Sequence, residues 1–440
     1  MEPEHFESLY PDETRFEEIE KILSFIKEGN SCQIVSVPGV GRSNVLGFLA
    51  YNKKIRQKHL GNAQKNFHFI YLNFSEIRKK PLVEATKFMF LGLVDSLKER
   101  RMDKEYEVVN KIFKESLSLK DELVIFSGLK KAIDYLALEK NLTVVFLFDR
   151  FEEYISVVDD DFFSNLRVLR NRAKYKFSVV FSLNRPLEDI LEATLFSDFY
   201  EFVAGKIVYL SLYDKVGVDF RISYLEKITD KKLNKKVFEE ILEVTGGHSN
   251  LIRLSAEALL VSGQKKENKL LLKKFLLEQK PIRSSLFGIW NSLSPSEQNL
   301  FLESAKLEDA YLENVGLIKN GFCKIPLFSD YAKERASINR QGEELRISEA
   351  GEILKGEIVF SDRLTSLEFK LLKFLLEGKD RVLEKEEIIN SVWKEAKTTM
   401  GVTDQALDQL IFRLRKKIEE DPNNPKHLLT IKGRGFKFSK

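Results

Sequence analysis

The stretch that most restricts this chain is Gln33-Ile-Val-Ser-Val37, which runs through Pro38 and two glycines into an apolar helical pattern from about Ser43 to Lys58. A short run of β-formers that meets Pro and Gly at once reads as a buried strand ending in a tight turn that feeds a helix. Gly39 and Gly41 let backbone N–H groups turn inward there, and the helix N-terminus beyond adds a dipole that favours anions. Further apolar runs follow at Phe67–Leu72, Thr143–Phe148 and Phe177–Ser182. Amphipathic helical patterns precede or separate these runs, at 16–26 and at about 82–100, 104–138 and 160–172. Strands alternating with helices predict a parallel sheet covered on both faces, closing near residue 210.

From about 215 to 262 the pattern is helical, broken at Gly246-Gly247. The lysine-rich stretch 263–278 reads as either helix or linker. Ser294-Pro-Ser-Glu297 has the form of a capped helix start. Two short apolar runs after it, Val315–Ile318 and Phe322–Leu327, meet at Asn320-Gly321, a hairpin turn signal. A helix followed by a hairpin predicts a winged helix over 284–335. The expected organisation is 1–210 core, 211–280 helical lid, 281–340 middle winged helix and 341–440 terminal domain.

Composition narrows the classes. The 440 residues are 43 % hydrophobic and 31 % charged, which excludes disordered and collagen-like chains. Two cysteines, Cys32 and Cys323, make neither a disulfide framework nor a zinc site. The longest apolar stretches, such as Phe88–Val94, fall well short of the roughly 20 residues a spanning helix needs. The acidic N-terminus lacks a signal-peptide core. A cytoplasmic protein with no membrane partner is expected. Net charge is only +4, but residues 411–440 hold nine Lys and Arg against three acids, a local excess of +6. Phosphate binding needs such a basic end.

Ser36-Val-Pro-Gly-Val-Gly-Arg-Ser43 compares with G-x-x-x-x-G-K-[ST], departing at Ser36 and at Arg42, where Lys is usual. The expected phosphate holders are Gly39, Val40, Gly41, Arg42 and Ser43. Ser43 and Asp149, at the tip of the Thr143–Asp149 run, are the expected Mg²⁺ ligands. Arg150 stands directly after that acid, so Glu152 or Glu153 is the carboxylate left to orient water. Asn184 ends the next run.

Together, residues 12–262 resemble the AAA+/STAND class of P-loop ATPases. The 36–43 loop looks like a Walker A motif, 143–149 like a Walker B strand, and Asn184 falls at the sensor-1 place. Thr245-Gly-Gly-His-Ser-Asn-Leu-Ile-Arg253 resembles the family's lid stretch, with Ser249 for the usual Pro. The resemblance implies ATP or ADP with Mg²⁺ as cofactors, Asp149 and Glu152 as catalytic groups, and His248 and Arg253 near the nucleotide. It also implies an α/β P-loop NTPase core with a helical lid. Losing the Lys, and a Glu after Asp149, points to a weak ATPase or to a switch that binds nucleotide without turning it over.

At the C-terminus, a capped helix is expected from Thr365, with Glu368 as its partner, then helices at 384–393 and 403–419. In the third, Leu407, Ile411, Leu414 and Ile418 form one buried stripe, leaving Gln405, Gln409, Phe412 and Lys416 opposite. A hairpin follows at Leu429–Phe438. Gln pairs with adenine and Phe packs on a thymine methyl. These residues resemble the OmpR/PhoB-type winged-helix DNA-binding domain: Leu364–Leu372, Val392-Trp393, Leu407–Lys417 and Thr430-Ile-Lys-Gly-Arg-Gly-Phe436 follow its pattern. The resemblance implies double-stranded DNA as partner. Gln405, Gln409 and Phe412 take the base-contacting places, Arg413, Arg415, Thr430 and Lys432 the phosphate-contacting ones, and Arg434 the wing tip. The leading expectation is a sequence-specific transcription regulator controlled by a nucleotide-binding module. A DNA-dependent ATPase of origin-recognition type, or a STAND-type sensor that forms homo-oligomers, are the alternatives.

Overall fold

The computed structural model describes the chain apart from residues 1–4, 119–120, 263–267, 304–305, 343–344, 349–350, 356–357, 362–363, 379–380, 394–402, 420, 423 and 440. It divides into two units, Met1–Ala332 and Lys333–Lys440.

The first unit is built on five strands: β1 (Cys32–Val35), β2 (Phe67–Asn73), β3 (Thr143–Asp149), β4 (Phe177–Leu183) and β5 (Ile207–Tyr209). Their order is β2-β3-β4-β1-β5, and all neighbours are parallel. All of β1 and β4 is buried, as continuous apolar runs under helices on both faces require. After β1 the chain crosses to the far edge and steps back to β4, so β1 borders a topological switch point. In such sheets ligands bind in the crevice beyond the strand ends there. The three-residue β5 is a fifth strand that the sequence reading did not anticipate; it is too short for a period to show.

Two helices expected to be continuous are broken. The 43–58 pattern becomes Arg42–Tyr51 and Lys53–Leu60, because Asn52 takes extended geometry and caps the second through Ile55 N at 3.1 Å. The 104–138 pattern becomes Asp103–Ser118 and Glu122–Asp134, the second capped by Asp121. Short polar side chains at these breaks offer the backbone a hydrogen bond outside the helix ladder.

Helices Lys215–Thr229, Lys235–Thr245, Ser249–Ser262 and Lys269–Glu278 make the region expected as lid. Lys269–Glu278 resolves part of the helix-or-linker question as helix; residues 263–267 lie outside the described residues. Gly246, at φ +59, is more than a turn: a Cβ there would lie 1.8 Å from the Lys324 carbonyl oxygen. Helices Lys280–Asn291, Pro295–Glu303 and Ala310–Asn314 lead into the hairpin β6 (Ile318–Lys319) and β7 (Phe322–Cys323). Ser294 and Glu297 cap one another reciprocally, at 2.8 and 3.3 Å. The boundaries expected at 210 and 280 fall within a single hydrophobic core that runs from Tyr10 to Ala332.

Helix Pro326–Gly342 follows the hairpin, and after it the second unit holds a small antiparallel sheet, β8 (Leu345–Ile347), β9 (Ile353–Lys355) and β10 (Ile358–Val359), also absent from the sequence reading. Helix Ser366–Glu377 starts at the expected capping box of Thr365 and Glu368. β11 (Val382–Leu383), helix Lys385–Val392 and helix Asp404–Ile418 follow, then the hairpin β12 (Leu428–Ile431) and β13 (Gly435–Phe438). The sheet order is β11-β13-β12. Leu371, Leu375, Leu383, Ile388, Leu407, Ile411, Leu414 and Phe436 share its core.

Candidate functional site

The turn after β1 is held rigidly by its own carbonyls. Pro38 O accepts from His248 Nε2 at 2.9 Å, Gly39 O from Asn250 N at 3.1 Å, and Val40 O from Arg15 Nη2 at 2.9 Å. Gly39 and Gly41 take φ of +87° and +113°, a region that favours glycine. With the carbonyls turned into protein, the loop N–H groups and those opening the helix Arg42–Tyr51 are left for an anion; Gly41, its N-cap, has no side chain to satisfy them. The loop faces a cavity of about 560 Å³ whose lining runs from Tyr10, Thr14 and Arg15 through the loop to Asp149, Asn184, Val218, Ile222, Asn250 and Arg253.

Arg42 donates through Nη2 to Glu152 Oε1 at 2.8 Å and to Asn184 Oδ1 at 2.6 Å. Asp149 is buried and accepts from Tyr71 Oη at 2.7 Å and from Arg150 N at 3.0 Å. Burial raises the Glu152 pKa above the usual carboxylate range, with Arg42 opposing the shift. Ser43 is exposed at the cavity. Among the described residues no three His, Cys, Asp or Glu side chains converge as a ready metal site. A Mg²⁺ held by Ser43 and Asp149 therefore needs oxygens from a phosphate as well.

Two of the expected lid residues behave differently from one another. Arg253 does line the cavity, held by Glu257 at 2.6 Å and Asn250 Oδ1 at 2.9 Å. His248 does not. It is wholly buried, donating to Pro38 and accepting from Leu251 N at 3.3 Å, and burial pushes its pKa down to about 4. Its expected place at the nucleotide is corrected to that of a clamp on the loop backbone. Arg185, directly after Asn184, is half-buried: it pairs with Glu297 and lies 4.2 Å over the Tyr311 ring.

Sequence reasoning missed the N-terminal wall of the cavity. Tyr10, Thr14 and Arg15 precede the first long helix and carry no motif spacing. Thr14 Oγ1 is buried without a partner, an orphaned polar atom at a cavity wall. Beside it Phe48, Val218 and Ile222 supply apolar lining. Loop glycines at positive φ, an orphaned hydroxyl, apolar walls and a clamped loop together fit a nucleotide.

On the second unit, Gln405, Gln409, Phe412, Arg413 and Lys416 are all exposed on the helix Asp404–Ile418, while Leu407, Ile411, Leu414 and Ile418 are buried as expected. Lys416 Nζ lies 4.8 Å over the Phe412 ring. Lys385 Nζ bridges Asp404 and Asp408 at 3.1 and 3.2 Å, which neutralises acids that would face phosphate. A groove of about 900 Å³ runs between this helix and the wing, bordered by Phe412, Thr430 and Arg434. Thr430, Lys432 and Arg434 are exposed on the wing. Arg415 lines the same groove and also makes contacts within the unit. Its Nε and Nη2 donate to Leu428 O at 2.9 and 2.6 Å, and Nη2 also to Thr430 Oγ1 at 2.8 Å. These bonds tie the wing to the helix.

The fold and sites therefore define a parallel α/β sheet with a glycine-rich turn after β1 in one unit and a winged helix in the other. Residues 362–438 match the family described as "Transcriptional regulatory protein, C terminal", so this terminal region is an OmpR/PhoB-type domain. Among curated proteins the chain is similar to the sensory transduction protein RegX3 of Mycolicibacterium smegmatis, 46 % identical over 71 residues, covering 16 % of this chain and 30 % of that one. The chain thus spans about a third of the length of the curated relatives it matches. Among solved structures it is similar to the Walker-type ATPase PABY2304 of Pyrococcus abyssi (TM-score 0.40, 12 % identity, 99 % of this chain and 95 % of that one). It is also similar to Cdc6p of Pyrobaculum aerophilum (TM-score 0.34, 12 % identity, 96 % and 88 %). At these scores the two likenesses add nothing to the fold read from the sheet order. No helix among the described residues is long and apolar enough to cross a membrane.

Proposed function

We propose that this chain is a sequence-specific, DNA-binding transcription regulator whose terminal winged helix is governed by nucleotide bound in the first unit. The observation that carries the DNA half is the split of the helix Asp404–Ile418 into a buried Leu/Ile stripe and an exposed Gln405, Gln409, Phe412, Lys416 face beside a basic wing. Gln405 and Gln409 read adenine edges, Phe412 packs on a thymine methyl, and Arg413, Lys416, Lys432 and Arg434 meet phosphates and the groove edge. Arg415 and Thr430 position the wing.

For the nucleotide half, the clamped 38–43 turn supports ATP or ADP. Backbone N–H groups of Gly39 to Ser43 and the guanidinium of Arg42 would hold phosphates, Thr14 and the apolar wall would take the base, and Ser43 with Asp149 would hold Mg²⁺. The metal supplies charge neutralisation of the phosphates. Arg150 directly after Asp149 and the engagement of Glu152 by Arg42 favour binding over turnover. Nucleotide occupancy biases the chain between states that differ in DNA affinity or self-association. The test is DNA binding and oligomer size of the full chain with ATP, with ADP and with neither. A difference between the three supports control; identical affinity and size in all three removes it.

A further inference from the structure

The cation of the phosphate loop is already engaged. Glu152 reaches it because of how the chain leaves β3. Arg150 takes a left-handed φ of +52°, and Phe151–Glu153 closes as a short 3-10 turn. Phe151 is fully buried, its ring centroid 5.0 Å from Phe181 and 5.8 Å from Phe148. With Phe151 anchored under the sheet, Glu152 is turned toward the loop, 2.8 Å from Arg42. The pair is nevertheless incomplete. Arg42 Nη1 and Glu152 Oε2 are both buried with no hydrogen-bond partner. A buried pair with unsatisfied atoms is costly, so a better acceptor can take the guanidinium. Phosphate, with several charged oxygens and bidentate geometry, is such an acceptor for Arg.

The other partner of Arg42 connects onward. Asn184 receives Arg42 on its side chain, and its backbone carbonyl accepts the Tyr311 hydroxyl at 2.7 Å. The next residue, Arg185, lies over the Tyr311 ring, pairs with Glu297 and donates to Ser292 O at 3.3 Å. Residues 292–311 are thus tied to the end of β4 at the point where Arg42 touches it.

Resting on the nucleotide reading above, we propose that Glu152 is an internal competitor for Arg42, a latch that phosphate must displace, and that release of Asn184 in this exchange is transmitted to residues 292–311 through Tyr311 and Arg185. Glu152 thereby sets the affinity threshold of the site, with Arg42 Nη2 shared between Glu152 and Asn184 until phosphate takes it.

The experiment is calorimetric binding of ADP with Mg²⁺ to the full chain, comparing wild type, Glu152→Gln and Glu152→Ala. Freeing a charge-assisted hydrogen bond is worth roughly ten- to a hundredfold in affinity, so both variants are expected to bind ADP tighter than wild type by about that factor. The relay is read in a Trp393→Phe background, where Trp290 is the remaining tryptophan and packs 6.3 Å from the Phe328 ring. ADP is expected to change Trp290 emission, and Tyr311→Phe to reduce that change while binding persists. Equal or weaker ADP binding by both Glu152 variants overturns the latch and leaves the nucleotide reading standing. No binding by wild type or either variant overturns both. Trp290 emission that ignores ADP, or responds equally with Tyr311→Phe, overturns the relay.

Discussion

His248 Nε2 donates to the Pro38 carbonyl at 2.9 Å, joining the helical region to the glycine-rich loop across 210 residues of sequence. The ring accepts Leu251 N on Nδ1, so its tautomer follows from its partners: a carbonyl only accepts and a backbone N–H only donates. The neutral ring is the working form, which ties loop geometry to pH.

Burial places the His248 pKa at about 4, below its ordinary value near 6.5. The unfolded chain then binds more protons than the folded one between those values, so stability rises with pH through that window and is lost as pH falls through it. The full contribution is at most roughly 3 kcal/mol. His248→Gln is expected to flatten this part of the stability profile, checked by urea unfolding at pH 5 and pH 7.5.

Asp149→Asn keeps the size of the side chain but removes its charge. ADP affinity in Mg²⁺ is expected to fall about tenfold or more, while affinity in EDTA changes little, since the lost interaction is with the metal. Ser43→Ala should share that pattern. Equal losses with and without Mg²⁺ would mean that the two side chains serve the loop rather than a cation.

Arg413→Ala and Gln409→Ala separate the two kinds of DNA contact. Arg413→Ala is expected to weaken all DNA sites alike and to reduce the salt slope by about 1. Gln409→Ala should leave the slope unchanged and cost about 1–3 kcal/mol of discrimination at one base pair. Competition binding over a series of salt concentrations distinguishes them.

Arg415→Ala removes three hydrogen bonds that tie β12 to the helix Asp404–Ile418. A loss of about 1–3 kcal/mol in the stability of the terminal region is expected, seen as an earlier denaturation midpoint followed by Trp393 emission. Arg415→Lys should restore little of it, because an ammonium lacks the planar fork.

Gly435→Ala tests the wing corner. At φ +126° a Cβ there would meet Leu383 O at 2.0 Å, so β11 and β13 must separate. The expected cost is roughly 3 kcal/mol or more, since strain and a lost strand contact add. Gly433→Ala, with open space around it, should cost less.

Local sequence was enough for whatever depends on neighbours along the chain. The strand–turn–helix at 33–43, the reciprocal caps at Ser294/Glu297 and Thr365/Glu368, and the Leu407–Ile418 stripe are set by backbone propensity, side-chain reach and helical period, all readable within a few residues. The same reading failed where elements were too short to show a period, as at β5 and β8–β10, and where Asn52 and Asp121 cut helices by capping the next one. It could not foresee partners brought from far away. That Glu152 sits on Arg42, that His248 serves Pro38 rather than a ligand, that Thr14 and Arg15 wall the cavity, and that Arg415 holds the wing all depend on which surfaces packing brings together. Sequence by itself determined which groups were charged and which local patterns have the form of an anion-holding turn and of a winged helix. Only the tertiary structure decided which of those charges are already paired, because burial makes an unpaired charge costly and so selects its partner by proximity in space.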